Sequence, residues 1–191
     1  MNHFFAYVSR LRLIRRWGLM RNTFPENDQE HALQAAMIAQ ALAIIGNVRY
    51  GKAYDVDRIA ALAIFHDAGE VLTGDIATPI KHFNPEVGQA FDHLERMARD
   101  KLLTMLPEDL RVYYAAYLIP DETSPEWAII KAADRICAYV KCVEEVKAGN
   151  GEFLKAKEVI LASIERLALD EVRDFMREFA ESFAMTLDEL N

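Results

Sequence analysis

Little in this 191-residue chain points to secretion or to a bilayer. It has two cysteines, Cys137 and Cys142. They lie five residues apart in a helix-patterned segment and point about 140° apart, so they do not pair locally. Two such thiols suit a reducing cytoplasm. No uninterrupted run reaches the ~18 apolar residues that span a bilayer. Six prolines and eight glycines are too few for a disordered or fibrous chain. Strand-like alternation, internal repeats and low-complexity linkers are all missing. Acid is missing from the first 25 residues, which hold Arg10, Arg12, Arg15, Arg16 and Arg21; the first carboxylate is Glu26. A basic, acid-free head has the composition of a transit peptide. Its apolar residues (Phe4, Phe5, Tyr7, Val8, Leu11, Leu13 and Ile14) precede the basic ones, and no small-x-small cleavage site follows. The segment therefore reads as a structural first helix.

What is present is an ordinary globular composition, 52% hydrophobic and 27% charged, with a net charge of -8. Surface scaling lets such a chain bury roughly 70% of its unfolded surface. One domain over residues 1–191 is expected. The acidic balance argues against a nucleic-acid polymer or an anionic membrane as partner. It leaves open a small phosphate, which needs only a local cation. The pattern is all-α. A helix is expected over 3–13, then an irregular segment through Trp17-Gly18 to Asn27. A second helix starts with Asp28 as N-cap and runs to Gly46, and a third follows Asp55 and runs to His66. Residues 73–84 read as a loop. Asn84-Pro85 opens a helix that ends before Pro107, followed by Glu108–Leu118. Ser124-Pro125 opens another that runs to Gly149. Two more cover 152–168 and 170–185. Pro120–Pro125 reads as a turn within the domain.

Chemistry is expected where apolar helices carry polar residues that a core disfavours. One place is Glu30-His31 in the first turn of the second helix. Another is the apolar run Ala60–Phe65, which ends in His66-Asp67 and then Ala68-Gly69-Glu70. Neighbouring helical residues point about 100° apart, so His66 and Asp67 share one ion most easily where the helix stops. An Asp there faces the negative end of the helix dipole and calls for a positive neighbour. The third place is Asp134, with apolar Ile130 and Ala138 one turn away on either side. A buried carboxylate needs a cation, and from the segment alone Lys131 and a metal serve equally well. Together the two imidazoles and two carboxylates form an N2O2 set, suited to a first-row divalent ion with open positions.

The spacing His31 … His66-Asp67 … Asp134 is similar to the H…HD…D signature of the HD-domain metal-dependent phosphohydrolases, which are all-helical. The resemblance extends to bacterial 5′-deoxynucleotidases of the YfbR type. It rests on Asn2-His3-Phe4-Phe5-Ala6, Ser9-Arg10-Leu11, Arg16-Trp17, Leu19-Met20-Arg21-Asn22, Glu30-His31, His66-Asp67-Ala68, Glu70-Val71-Leu72-Thr73-Gly74-Asp75, Thr78-Pro79 and Cys137-Ala138-Tyr139. Phe153-Leu154 and Ser182-Phe183 also fit. It implies one divalent metal, Co²⁺, Mn²⁺ or a similar ion, held by His31, His66, Asp67 and Asp134. It implies Arg16 and Trp17 as the substrate-contacting pair, Glu70 as the catalytic carboxylate, and Asp75, Ile76, Ala77 and Thr78 as the nucleotide loop. Ala77 stands where the family's pattern has proline, which would loosen that loop and blur sugar or base preference.

The reaction so implied is hydrolysis of deoxyribonucleoside 5′-monophosphates in nucleotide metabolism, by a cytoplasmic homodimer. The metal would serve as Lewis acid and activate a water, and Arg16 would meet the phosphate as a charged fork and act in catalysis. His31 and Asp134 would touch the substrate as well as the metal. Glu70 would orient the water or protonate the leaving oxygen, Asp75 would accept from the 3′-hydroxyl, and Trp17 would disfavour a 2′-hydroxyl. Other HD hydrolases, acting on deoxynucleoside triphosphates or cyclic nucleotides, remain alternatives. Some cyclic-nucleotide relatives bind a second metal through extra histidines between the HD pair and the last Asp, the interval that holds His82 and His93. One ion is expected, because the resembled family places no ligands at those two positions. A non-catalytic nucleotide-binding helical protein is the alternative from a different class.

Overall fold

The computed structural model describes every residue except His82, with backbone alone at Thr78 and Pro79. Among the described residues the regular structure is helical, with one isolated bridge between Arg15 and Asn27. The chain opens with α1 (Phe4–Val8), continued by a 3₁₀ segment (Ser9–Leu13). After the irregular segment come α2 (Asp28–Tyr50), α3 (Val56–Phe65), α4 (Glu70–Thr73) and α5 (Thr78–Lys81). Next are α6 (Pro85–Thr104), α7 (Glu108–Leu118), α8 (Pro125–Lys147), α9 (Leu154–Glu165) and α10 (Asp170–Phe179), with short 3₁₀ segments around the last two. The chain forms two compact units, and α2 and α3 contribute residues to both.

The first unit comprises residues 1–21, 25–33 and 64–121. Its core gathers Phe4, Ala68, Leu102, Leu106 and Leu118. The Phe4 ring packs edge-on against Tyr114, with centroids 5.1 Å apart, so the basic head is an integral first helix as expected. Helices α1, α4, α5 and α7 all pack on α6.

The second unit comprises residues 22–24, 34–63 and 122–191. Its α8 buries Ile129, Ile130, Ala132, Ala133, Ile136, Cys137 and Val140 and packs against α9. Both cysteines are buried, and among the described residues they form no disulfide. Buried Glu145 accepts the backbone N–H groups of Thr23 (2.9 Å) and Phe24 (3.0 Å). That fixes the strip of chain just before Pro25.

Several expectations need correction. The α2 cap is Asn27, whose Oδ1 accepts from the backbone of Gln29 and Glu30 at 3.1 Å, while Glu30 reaches back to the Asn27 N–H at 3.3 Å. This reciprocal cap leaves Asp28 free to turn inward. Helix α2 continues past Gly46 to Tyr50 and stops at Gly51, where φ is 63°. Gly46 is instead a close-approach residue, since a Cβ there would lie 2.7 Å from the Tyr54 ring. Residues 78–81 form the short α5 within the expected loop. The turn at 120–125 is present, and the division between the units falls there, after Asp121. Helix α2 alone among the described helices is long and apolar enough to cross a membrane, and about half of that stretch is buried inside the protein.

Candidate active site

The site in the first unit is assembled by three irregular junctions. The first is the turn His66–Gly69 between α3 and α4. It is held by i→i+3 bonds from the Ala68 N–H to Phe65 (3.0 Å) and from the Glu70 N–H to Asp67 (2.9 Å). Ala68 anchors it in the core, and Gly69 lies against α6, where an added Cβ would meet Arg99 and the Glu95 carbonyl at 3.4 Å. The helix therefore ends where the sequence requires it to, and His66 Nε2 comes 3.0 Å from Asp67 Oδ2. The second junction is the start of α2. His31 is buried there, with its Nε2 3.6 Å from the same Asp67 oxygen. Donor nitrogens of His31 and His66 lie within 4.8 Å of one another.

The third junction is the loop that carries Arg16 and Trp17. Arg16 Nη1 donates to Asp67 Oδ2 at 3.3 Å and lies 3.9 Å from Asp28. Arg16 is thus a positive neighbour of Asp67. Trp17 adopts φ 58°, a left-handed conformation that costs a bulky residue about 1–3 kcal/mol. Its indole N–H donates to Glu26 at 3.0 Å.

The electrostatics are unusual for a buried place. Asp28 is fully buried; Arg16 Nη1 lies 3.9 Å from it, and the Glu70 carboxyl is its hydrogen-bonding neighbour. Burial, then the charges of Asp67 and Asp75, push Asp28 up to about 6 against the pull of Arg16. Burial followed by Asp67, Asp28 and Asp75 pushes Glu70 up to about 10, opposed by Lys81. Lys81 Nζ lies 3.6 Å from Glu70 and 2.9 Å from Glu95. Burial also raises Glu26, but His31, Arg16 and Trp17 outweigh it and hold that carboxyl below its usual value. Two imidazoles and the Asp67 carboxylate fit a borderline divalent ion. The crowded, underpaired acids beside them are what such an ion would offset.

The family model for YfbR-like 5′-deoxynucleotidases matches residues 3–183. The chain belongs to this family. A 5′-deoxynucleotidase of Vibrio cholerae is 47% identical over all of this chain and 98% of its own length. The 5′-deoxynucleotidase YfbR of Escherichia coli is 48% identical, again over all of this chain and 96% of its own. Among solved structures, an HD-domain phosphohydrolase from Listeria innocua superposes with a TM-score of 0.82. It is 21% identical and covers 95% of this chain and 88% of its own. The cyanophage S-2L HD phosphohydrolase, solved with dA and one catalytic Zn²⁺, gives 0.68 at 20% identity, covering 95% and 96%. The fold is that of the HD-domain phosphohydrolases.

Of the residues expected in this YfbR-like chain, the first unit brings together Arg16, His31, His66 and Asp67, with Glu70 and Asp75 within electrostatic reach. Trp17 joins them through Glu26. Ile76 and Ala77 are half-buried in the irregular stretch after Gly74. The Thr78 side chain, and His82 altogether, fall outside the described residues. Asp134 belongs to α8 in the second unit and accepts from Lys131 Nζ at 3.0 Å. It is partly exposed rather than buried, because the neighbouring Ala138 side of the helix is only half-covered. Sequence reasoning missed Glu26, Asp28 and Lys81 as neighbours of the site. The pattern Asn27-x-x-Glu30, a capping box one residue earlier than the expected cap, was the available signal for Asp28.

Proposed function

We propose that this member of the YfbR-like family hydrolyses deoxyribonucleoside 5′-monophosphates to deoxynucleoside and orthophosphate with one divalent metal ion. The observation that carries the reading is the convergence of His31, His66 and the Arg16 guanidinium on a single Asp67 oxygen. Nitrogen donors and a phosphate-matching cation there share one focus.

His31, His66 and Asp67 would hold the ion, and the family's spacing adds Asp134 as fourth ligand. A first-row ion such as Co²⁺ or Mn²⁺ supplies a Lewis acid and a more acidic water when bound. Arg16 presents a planar, permanently charged fork to the phosphate oxygens and neutralises charge as the P–O5′ bond breaks. Water adds to phosphorus, and the leaving 5′ oxygen takes a proton. Glu70 stands three residues beyond Asp67, and burial and the neighbouring acids raise its carboxyl above the ordinary value. It serves as the donor or as the group that orients the water. Asp75 accepts from the sugar 3′-hydroxyl, with Ile76, Ala77 and Thr78 along the nucleotide. Trp17 packs beside the sugar, while His31 and Asp134 also touch the substrate.

A single ion is favoured over two, because His93 is exposed on α6. The reading extends to one domain over the whole chain, supported by the span of the family match. It also includes a cytoplasmic homodimer without nucleic-acid or membrane partners. Exposed Met37, Ile44 and Val48 on α2 give apolar surface that self-association would cover. Product analysis tests the reading against its nearest rival. Metal-loaded protein is expected to release orthophosphate from deoxynucleoside monophosphates and no triphosphate from deoxynucleoside triphosphates, with one ion per chain. Release of triphosphate, or two ions per chain, would favour another HD hydrolase.

A further inference from the structure

Residues 14–16 and 26–28 run side by side. The Arg16 N–H donates to the Glu26 carbonyl at 3.0 Å, and the Asp28 N–H donates to Ile14 at 3.1 Å. This pairing sets the Glu26 side chain against three others. Its Oε2 accepts the Trp17 indole N–H at 3.0 Å and lies 3.7 Å from Arg16 Nε. Its Oε1 lies 3.7 Å from His31 Nδ1. The carboxylate is mostly buried, 14% exposed, so water screens these contacts weakly.

The geometry divides His31 in two. Nδ1 faces Glu26, and Nε2 faces the Asp67 oxygen that His66 also approaches. A carboxylate 3.7 Å from Nδ1 favours, through its charge, the tautomer with the proton on that side, which leaves the Nε2 lone pair for the ion. Arg16 is divided likewise, with its Nε edge toward Glu26 and its Nη1 end toward Asp67. Trp17, in its left-handed conformation, is held by the same carboxylate.

We propose that Glu26 is the positioning residue that ties substrate recognition to the metal centre, with one carboxylate bracing Arg16, Trp17 and His31 together. The inference rests on the proposed function for its substrate, but its metal arm is independent of turnover.

The test uses Glu26→Gln and Glu26→Asp in the full chain, with folding checked by thermal melts. Co²⁺ affinity of the stripped protein is measured by titration calorimetry, and KM and kcat are measured with deoxynucleoside monophosphates. Glu26→Gln is expected to weaken Co²⁺ binding by roughly 10–100-fold and to raise KM by more than it lowers kcat. Glu26→Asp, one methylene shorter, cannot brace Trp17 and His31 at once, so Co²⁺ affinity falls or KM rises roughly tenfold. It decides the matter if the Gln variant does not fold. Wild-type Co²⁺ affinity and KM in a folded variant would overturn the proposal. Wild-type protein that binds Co²⁺ but releases no phosphate would sink the proposed function instead, and the calorimetry would still judge Glu26 as the His31 brace.

Discussion

Asp28, Asp67, Glu70 and Asp75 repel one another in a place with little water. Asp28 is raised to about 6 and Glu70 to about 10, in both cases foremost by burial. Arg16 and Lys81 offset this only in part. A carboxyl whose folded-state pKa is raised favours the folded state in acid and loses that contribution as pH climbs. For Asp28 the loss runs from its ordinary 3.8 to about 6, and for Glu70 from 4.5 to about 10. Glu145, Asp174 and Glu178 are lowered to about 2 and stay ionised throughout that upper range. The stripped protein is therefore expected to melt at progressively lower temperature between about pH 5 and pH 9. A divalent ion held by His31, His66 and Asp67 would favour the ionised form of the neighbouring carboxylates by its charge, and should raise Tm more at the alkaline end. Scanning fluorimetry across that range, with and without Co²⁺, checks both slopes. A Tm that rises with pH in the stripped protein contradicts the account of the buried acids.

Among the helices, local signals decide what a sequence reveals. Ser124 accepts the Trp127 N–H at 3.1 Å and Asn84 accepts the Val87 N–H at 2.8 Å, so both Pro-led helices start where their side chains dictate. Helix α2 was harder at each end. Asn27 and Asp28 are both good caps, and the bonds that Asn27 exchanges with Gln29 and Glu30 distinguish them. Gly46 looks like a stop but is demanded by Tyr54, a partner eight residues on. Tyr54 is pinned by Asn47 at its backbone and by Glu171 at its hydroxyl, so its ring cannot yield to an added methyl. Gly46→Ala is expected to cost about 1–3 kcal/mol by overpacking, exceeding the helix-propensity gain of up to ~1 kcal/mol. Urea unfolding measures it, and an unchanged or raised midpoint would refute the role given to Gly46. The same logic covers the site. His31, His66 and Asp67 interrupt apolar helices and were legible. Glu26 sits in an irregular segment where polar residues are unremarkable, and its role appears only when the chain folds back on residues 14–16. A four-residue helix such as α5 is too short to show a period.

For the whole molecule, a net charge of -8 says less than the placement of a few charges. The acid-free opening residues deliver Arg16, a cation, into a cluster of buried carboxylates. A single family match over residues 3–183 takes in nearly all of both compact units. The most direct test of that chemistry is phosphate release from deoxynucleoside monophosphates by protein stripped of metal and then reloaded. The stripped protein should be inactive, and Co²⁺ or Mn²⁺ should restore release of orthophosphate. Undiminished release after stripping, or none with any first-row divalent ion, would contradict the account.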